Sequence, residues 1–434
     1  MKKPALHWQI IGAIVLAGIA GWAVNLAGDG DASAPNVFGI SFLSIFNYVG
    51  ALFLNALKMI IVPLILSSII VGMAGIGSSG NLGALGGRTL LFYVATTIAA
   101  ILVGLTLMNI IGPGYVNGEP AGHLLALEAS TDDIAARVEG RGAGDVADLF
   151  LRMIPENVVL AAAEGEMLGI IFFALLFGYF MTRMSHDLAE PMYKFWDGVF
   201  NVMMRMTEWI MLFAPIGVFG LVAAVVAETG FSAAGPLATF AGATLAGLIF
   251  HAAVTLPLFL RVFGGVGNPY RIFPAMAPAM LTAFSTASSS ATLPVTMDCV
   301  ENNAGVSNKI SSFVLPLGAT VNMNGTALYE CAAAMFLAQA YGLDLTLGTQ
   351  FSIVVIALLT SIGVAGVPAA SLVAIAIILA AIGLPVEAIG VLMVFDRILD
   401  MVRTSVNIFG DSCAAVIVAR LDGERTNLVP EPVA

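Results

Sequence analysis

The chain consists of apolar segments that follow one another with almost no polar sequence between them. Of its 434 residues, 59% are hydrophobic and 10% are charged, and the mean hydropathy is +0.96. An ordinary soluble domain carries about 25% charged residues. Each helix that crosses a bilayer needs about 20 consecutive apolar residues. The pattern therefore predicts an all-α polytopic membrane protein, residues 1–434 forming one membrane unit, and it excludes nucleic acid as a partner because no basic tract is present.

The last apolar segment, residues 389–419, carries a polar stripe. Its members recur every three or four residues and are Asp396, Asp400, Arg403, Asn407 and Asp411. At about 100° per residue they fall within roughly 80° of one helical face. A charge at the bilayer centre costs on the order of 3 kcal/mol, so the stripe needs partners, water or bound ions and predicts a functional site. For one helix in isolation, exposure of the stripe to water is an equal alternative, which the composition of the whole chain removes.

Three apolar segments are interrupted by small polar residues, glycine and proline. The interruptions are Ser285 to Pro294, Asn322 to Thr326 and Ser361 to Ser371. They predict broken helices, and two of them in corresponding halves of the chain are typical of a transporter with inverted repeats. Unwound backbone at membrane depth is tolerated only where it is buried in protein or lines a cavity, and its carbonyl oxygens suit a small cation.

The distribution of basic residues predicts the topology. Lys2 and Lys3 precede the first span, and further Arg and Lys residues cluster near alternate connections. The positive-inside rule places both termini in the cytoplasm and the polar stretch of residues 112–148 outside it. The three cysteines lack metal-ligand spacing and predict neither a disulfide framework nor a zinc site.

Four motifs resemble those of the glutamate transporter family, the dicarboxylate/amino acid:cation symporters. They are Ser285 to Pro294, Asn322 to Tyr329, Ser361 to Pro368 and Asp400 to Asp411, and the similarity extends along nearly the whole chain. The resemblance implies eight transmembrane helices plus two re-entrant helical hairpins, at residues 273–301 and 347–384. It also implies inverted repeats, a homotrimer in membrane lipid and an elevator-type transporter.

The resemblance also implies a division of the chain. The expected parts are a scaffold of the first two spans (1–87) and of the fourth and fifth spans (150–230), a transport part formed by the third span (88–113) and by residues 231–420, an extracytoplasmic loop (114–149) and a cytoplasmic tail (421–434). The expected location is the plasma membrane, in a bacterium the inner membrane, with multiple spans and both termini cytoplasmic.

Residue by residue, the resemblance implies a substrate site. Its members are Ser288, Ser289, Ser290, Thr326, Val367, Asp400, Arg403, Thr404 and Asn407. Arg403 offers a planar fork for a side-chain carboxylate, and Asp400, one turn earlier, suits an ammonium group. Together they favour import of aspartate or glutamate by symport with a cation. A C4-dicarboxylate is the alternative, although without an amine it would face Asp400 at a cost.

Three sets of sodium ligands follow from the same resemblance. The first is Gly318, Asn322, Asn407 and Asp411; the second is the backbone carbonyls of Thr320, Ser361, Ile362 and Val364; the third is Tyr93, Thr96, Thr97, Asn322 and Asn324. Position 324 is usually aspartate in sodium-coupled members, so the neutral Asn324 should hold sodium more weakly. Ala287 stands where some members carry an arginine near the substrate, and Arg397, about 100° off the stripe, is a candidate replacement.

Glu330 lies four residues after Thr326 and matches a glutamate that carries a proton in the eukaryotic carriers. Burial disfavours a charged carboxylate, as a proton carrier requires. A permanently protonated, hydrogen-bonding Glu330 is the equal alternative. Asn324 and Glu330 together leave proton coupling open beside sodium coupling, and no covalent cofactor is expected.

Two other classes of protein are disfavoured. An intramembrane hydrolase needs a dyad or triad, but Asp396, Asp400 and Asp411 share one segment with Arg403 and no histidine lies near the serines in the sequence. A passive channel does not need a paired acid and base, because tight multi-point binding opposes rapid exit. The chain is therefore expected to be a transporter and not an enzyme.

Overall fold

The computed structural model describes residues 6–28, 31–37, 39–77, 83–125, 127, 154–164, 167–230, 232–343, 345–363 and 370–428. These residues are mostly helical. The helices of the first half are α1 (Leu6–Ala27), α2 (Phe42–Gly77), α3 (Gly83–Ile111), α4 (Val158–Glu164), α5 (Met167–Met181), α6 (His186–Met211) and α7 (Ala214–Thr229). Two small antiparallel hairpins pair β1 (Asn36–Val37) with β2 (Ile40–Ser41) and β3 (Tyr115–Val116) with β4 (Glu119–Pro120).

The second half contains two of the three breaks that the sequence predicts. Its helices are α8 (Ala234–Phe250), α9 (Leu256–Val262), α10 (Ile272–Thr286), α11 (Ser289–Asp298), α12 (Asn308–Val321), α13 (Asn324–Ala340), α14 (Leu347–Gly363), α15 (Ala370–Ile382) and α16 (Ile389–Leu421). Short 3-10 turns cover Ala121–Leu125, Pro269–Arg271 and Val386–Ala388, and π turns cover His251–Thr255 and Cys299–Asn303.

Four helical stretches among the described residues are long and apolar enough to cross a bilayer. They are Trp8–Ala27, Gly86–Ile111, Ala234–Val262 and Val386–Leu421. Their composition, together with that of the shorter apolar helices, is that of an integral membrane protein. The most apolar window of the last stretch is almost wholly buried inside the protein, so most of α16 faces other helices, while Ile398 on the same helix is exposed.

Two of the predicted breaks are confirmed. Between α10 and α11, Ala287 adopts the left-handed conformation at φ 50° and ψ 38°, and Ser288 is extended. Between α12 and α13, Asn322 and Met323 leave the helical region at ψ 77° and ψ 55°. Of the third break, residues 364–369 lie outside the described residues, and so do the predicted site residues Val364 and Val367.

One predicted segment is divided in the structure. The sequence predicts a single stretch over residues 192–227, but α6 ends at Met211 and α7 begins at Ala214. The amides of Leu212 and Phe213 donate to the carbonyl oxygens three residues earlier, at 3.2 and 2.9 Å. The last turn of α6 is therefore narrower than a regular α-helical turn. Pro215 then starts α7, because proline lacks the amide that a helix interior would need and fits a first turn.

The helices form a peripheral and a central group, which meet where α7 packs against α16. Helices α1, α2, α5, α6 and α7 pack against one another, with α2 contacting α5, α6 and α7. In the central group α16 is contacted by α10, α12 and α13, while α3 packs against α13 and α8. Helices next to each other in the chain also pack together at two places, α10 on α11 and α14 on α15. The polar stripe therefore lies within the central group.

Glycines let α2 and α7 approach closely, as at helix crossings in membranes. A Cβ atom on Gly220 would lie 2.7 Å from the carbonyl oxygen of Phe46 and 2.9 Å from the amide nitrogen of Gly50. Backbone atoms cannot move aside as a flexible side chain would, so the crossing requires glycine at this position.

We expect Gly220→Ala to lower the free energy of unfolding by about 1–3 kcal/mol, the usual cost of overpacking. Thermal unfolding in detergent micelles measures the effect. Gly242→Ala in α8 is the matched control, because its new methyl group would meet no atom within 4 Å. Equal Tm values for the two variants would show that the α2–α7 crossing is not closely packed.

Candidate functional site

The polar stripe of α16 is buried among protein groups. Asp396, Asp400, Arg403, Asn407 and Asp411 are each less than a tenth exposed, and Arg403 is completely buried. Because a buried charge is stable only when paired and hydrogen-bonded, each member of the stripe should have a partner. The partners found divide the stripe into an arginine network and, one to two turns further on, an amide and carboxylate cluster.

Arg403 is held by two carboxylates and an aromatic ring. Its Nη2 donates to Asp396 Oδ1 and to Asp400 Oδ1, both at 3.0 Å. The guanidinium carbon lies 3.8 Å from the centre of the Tyr329 ring, a cation–π contact. Nε and Nη1 have no hydrogen-bond partner among the described residues. Since buried donors are nearly always satisfied, these two nitrogens are suited to an incoming carboxylate.

Arg397 joins this network. It is 7% exposed, and its Nη1 donates to Asp400 Oδ2 at 3.4 Å. Its position off the stripe left its involvement open in the sequence, but the guanidinium reaches along the helix to the residue three positions on. The network thus contains two arginines and two aspartates, and its formal charges balance.

Asn407 connects α16 to the break before α13. Its Oδ1 accepts from the amides of Gly325 and Thr326 at 2.8 and 3.3 Å, and its Nδ2 donates to Thr326 Oγ1 at 3.0 Å. Amides in the first turn of a helix lack partners within that helix, so Asn407 satisfies two of them. A Cβ on Gly325 would lie 2.7 Å from the Arg403 carbonyl oxygen, which requires glycine there. The Thr404 hydroxyl donates to the Asp400 carbonyl at 2.8 Å.

The serines of the first hairpin lie at the start of α11. Ser288 Oγ caps that helix by accepting from the Ala291 amide at 3.2 Å, Ser289 is buried, and Ser290 is exposed. The hairpin is fixed to α16 by Ser405, whose hydroxyl donates to the Met280 carbonyl at 3.0 Å. A stacked Phe273–Phe409 pair, 4.6 Å between ring centres, adds to this contact.

Three members of the first predicted sodium set, Gly318, Asn322 and Asp411, form a carboxylate and amide cluster, while the fourth, Asn407, is bonded to the start of α13. Asp411 Oδ1 accepts from Asn322 Nδ2 at 2.8 Å, and Asn322 Oδ1 is buried with no partner in the described part of the chain. A side chain on Gly318 would collide with Asp411 Oδ1 and would lie 2.7 Å from the Tyr93 hydroxyl. A carboxylate, an unused carbonyl oxygen and a space closed to any Cβ fit a small hard cation.

The second set is described only in part. Ser361 is buried in the last turn of α14, and its hydroxyl donates to the Leu358 carbonyl at 2.9 Å. Thr320 and Ile362 lie near the ends of α12 and α14. Val364 is outside the described residues. All three described members of this set therefore lie in the last turn of a helix, where carbonyl oxygens lose their helical partners.

The third set lies next to His251, which the sequence analysis did not predict as part of the site. Tyr93 donates to the Val314 carbonyl at 2.6 Å, and Thr96 donates to the Phe92 carbonyl at 2.7 Å. The Thr97 hydroxyl donates to Asn324 Oδ1 at 3.1 Å, and the side-chain nitrogen Nδ2 of Asn324 lies 3.4 Å from His251 Nε2. Because His251 and Asn324 are far apart in the sequence, no local signal indicated their contact.

Glu330 is completely buried on α13. Its Oε2 lies 3.0 Å from the Thr360 hydroxyl on α14, and its Oε1 has no hydrogen-bond partner within the described ranges. The Thr360 hydroxyl also lies 2.9 Å from the Ile356 carbonyl oxygen. Since that hydroxyl has one proton, it can serve the carbonyl and accept from a protonated Glu330, or donate to a carboxylate.

Comparisons with known proteins show the family of the chain. The model of the sodium:dicarboxylate symporter family matches residues 6–421. The chain is 34% identical to the proton/sodium-glutamate symport protein of Geobacillus stearothermophilus, over 98% of this chain and 96% of that protein. It is 32% identical to the proton/glutamate-aspartate symporter of Escherichia coli strain K12, over 96% and 93%.

A eukaryotic relative is similar over nearly the same length. The neutral amino acid transporter B(0) of Bos taurus is 35% identical over 96% of this chain and 81% of that protein. The family match and these alignments extend from the first helix to α16, with its arginine network. The chain therefore belongs to the sodium:dicarboxylate symporter family, the family of glutamate transporters whose motifs its sequence resembles.

Proposed function

We propose that the protein is a secondary active symporter that imports an acidic amino acid, aspartate or glutamate, together with sodium. The observation that carries the proposal is Arg403, fully buried with two nitrogens that lack a partner among the residues that the structure describes. A buried guanidinium with unused donors recognises a carboxylate in two-point geometry. The names of the relatives, glutamate and glutamate-aspartate symporters, support the same class of substrate.

In the proposed complex the side-chain carboxylate and the ammonium group of the amino acid bind to side chains of opposite charge. Arg403 binds the side-chain carboxylate, and Asp400 receives the ammonium group. The remaining contacts would come from Ser288, Ser289, Ser290, Thr326, Val367, Thr404 and Asn407. A neutral amino acid would leave Arg403 unpaired, which costs binding free energy because a buried donor stays unsatisfied.

The sodium proposal rests first on the cluster around Asp411. A cation there would be held by Asp411 and the unused carbonyl oxygen of Asn322, and it would supply positive charge beside the incoming anion. Gly318 and Asn407 complete this set, and the carbonyls of Thr320, Ser361, Ile362 and Val364 form the second.

The transport cycle is proposed to be an elevator movement within a homotrimer. Eight transmembrane helices and two re-entrant hairpins would form a scaffold (1–87 and 150–230) and a transport part (88–113 and 231–420), with the loop 114–149 outside and the tail 421–434 in the cytoplasm. The packing of α2 against α5, α6 and α7, and of α1 against α7, supports a common scaffold, which touches the transport part where α7 contacts α16. The proposed location is the plasma membrane, the inner membrane of a bacterium, with cytoplasmic termini and lipid contacts.

Proton coupling is the second candidate, and Glu330 is the observation that favours it. Its carboxyl group is completely buried with one oxygen lacking a partner among the described residues, and relatives are named proton/sodium and proton symporters.

A C4-dicarboxylate is the alternative substrate, and the ion pair between Arg397 and Asp400 favours it. Because Arg397 offsets the negative charge of Asp400, that aspartate repels a second carboxylate of the substrate less. A hydrolase or a simple channel gains no support from an arginine network.

Arg403→Lys tests the carboxylate site. We expect it to weaken L-aspartate binding by about 10- to 100-fold, because an ammonium group cannot reproduce the planar fork and a charged hydrogen bond is worth about 1.5–3 kcal/mol. Isothermal titration calorimetry of the purified protein measures the change. Arg261→Lys, at the exposed end of α9, is the matched control; equal affinities in the two variants would contradict the assignment.

Asp400→Asn tests the recognition of the amine. We expect aspartate affinity to fall by about 10- to 100-fold, since the ammonium group loses its charged partner, whereas succinate, which has no amine, should bind no more weakly than to the wild type. Competition against radiolabelled aspartate gives both values. A similar loss for both ligands would show that Asp400 acts only by holding Arg403.

The coupling ion is tested by radiolabelled L-aspartate uptake into proteoliposomes. We expect an inward sodium gradient alone to drive uptake, and Asp411→Asn to abolish it by removing the cation's counter-charge. Asp422→Asn is the control, because Asp422 pairs with Lys309 at the protein surface. Uptake that needs only inward protons and is lost in Glu330→Gln would establish the proton-coupled alternative. No uptake under any gradient would refute the acidic amino acid substrate.

A further inference from the structure

His251 occupies an unusual place in the helix formed by α8 and α9. It begins the π turn His251–Thr255, in which one extra residue is accommodated within an otherwise continuous helix. Such turns are rare and concentrate at functional sites because they displace side chains from the regular helical positions. The imidazole is completely buried, and its Nδ1 has no hydrogen-bond partner in the described part of the chain.

The imidazole faces Asn324, and both ends of the Asn324 amide are already engaged. Its oxygen accepts from the Thr97 hydroxyl at 3.1 Å, and its nitrogen lies 3.4 Å from His251 Nε2. A Cβ on Gly410 would lie 2.8 Å from the same nitrogen, so α16 closes that side. With its proton on Nδ1, His251 accepts from the amide, and the three side chains form a neutral chain of hydrogen bonds.

This chain of hydrogen bonds stands where the third sodium set was expected, and the donor set does not fit a sodium ion. The carbonyl oxygen of Asn324 is used by Thr97, and its amide group presents hydrogens towards His251. No carboxylate belongs to the set, and its other amide, Asn322, is bonded to Asp411, so we assign the Asn322 oxygen to the cation of that neighbouring cluster. A buried cation without a counter-charge is unstable because its desolvation is not repaid.

We propose that His251 determines the coupling stoichiometry: its imidazole, bonded to Asn324 and through it to Thr97, fills the third cation position and removes one sodium ion from the transport cycle. The inference rests on the proposed function, since it counts the ions that accompany the acidic amino acid. It assigns a specificity-determining role to a residue in the helix formed by α8 and α9 that lies outside the predicted substrate and sodium sets.

The test is the sodium dependence of L-aspartate binding to the purified protein, with choline replacing sodium at constant ionic strength. Below saturation, each coupled ion makes Kd fall by about tenfold for every tenfold rise in sodium, so the slope of log Kd against log sodium counts the ions. Asp411→Asn is the positive control for loss of an ion and should reduce the slope by one.

Three variants separate the proposal from its alternatives. Asn324→Ala should leave the slope unchanged, because Asn324 is not a cation ligand. Asn324→Asp should also leave it unchanged, because the imidazole still fills the position. His251→Ala combined with Asn324→Asp should raise the slope by one, since space and a carboxylate are then both present. Gel filtration and thermal unfolding confirm that each variant is folded.

Several results would overturn the proposal. A slope that falls by one in Asn324→Ala would make Asn324 a cation ligand, and a slope that rises in Asn324→Asp alone would show that charge, not His251, decides. A folded double variant with the wild-type slope would remove the role of His251. Wild-type binding that is independent of sodium would refute sodium coupling, which belongs to the proposed function. In that case a slope of one in the double variant alone would still support the proposal that His251 occupies a cation position.

Discussion

The guanidinium of Arg403 is stable inside a membrane protein only because two carboxylates and an aromatic ring surround it. Desolvation of a single charge costs several kcal/mol even after relaxation, and Arg403 is completely buried. Asp396 and Asp400 share one of its nitrogens, and the Tyr329 ring covers its face. The helices around α16 must therefore pack so that these groups meet while two nitrogens of the arginine stay without a protein partner among the described residues.

The broken helices follow from the same requirement. A continuous helix offers only side chains to a ligand, whereas a helix end offers amides or carbonyls that lack helical partners. The end of α12 and the start of α13 lie against α16 at Asn407, which uses two of the freed amides. In the first hairpin the helix is interrupted at Ala287, whose left-handed conformation turns the chain just before Ser288, the N-cap of α11. Polar backbone is thus placed beside polar side chains in an apolar protein.

The sequence predicts those features that have a local pattern. The spacing of the stripe predicted a buried helical face, and the runs of serine, asparagine, glycine and proline predicted two breaks that the structure confirms at Ala287 and at Asn322. Features that depend on contacts between distant segments could not be read in this way. His251 has an unremarkable apolar context in the sequence, and its contact with Asn324 depends on a π turn and on the packing of two helices. The ion pair between Arg397 and Asp400 could be predicted only in part, because a spacing of three residues on a helix allows such a pair but does not require it.

Charge balance relates the substrate site to the cation site. The two arginines and two aspartates of the network cancel, so an acidic amino acid brings one net negative charge into a region of low dielectric constant. Asp411, two turns beyond Arg403 on the same face, adds another negative charge. In the proposed cycle a cation at Asp411 offsets one of these two charges, and a cation at the second proposed set offsets the other. Asn407 lies between Arg403 and Asp411 on α16 and is bonded to the start of α13. The anion and the cation then stabilise each other's binding, and because such coupling is reciprocal, the gradient of either can drive the other.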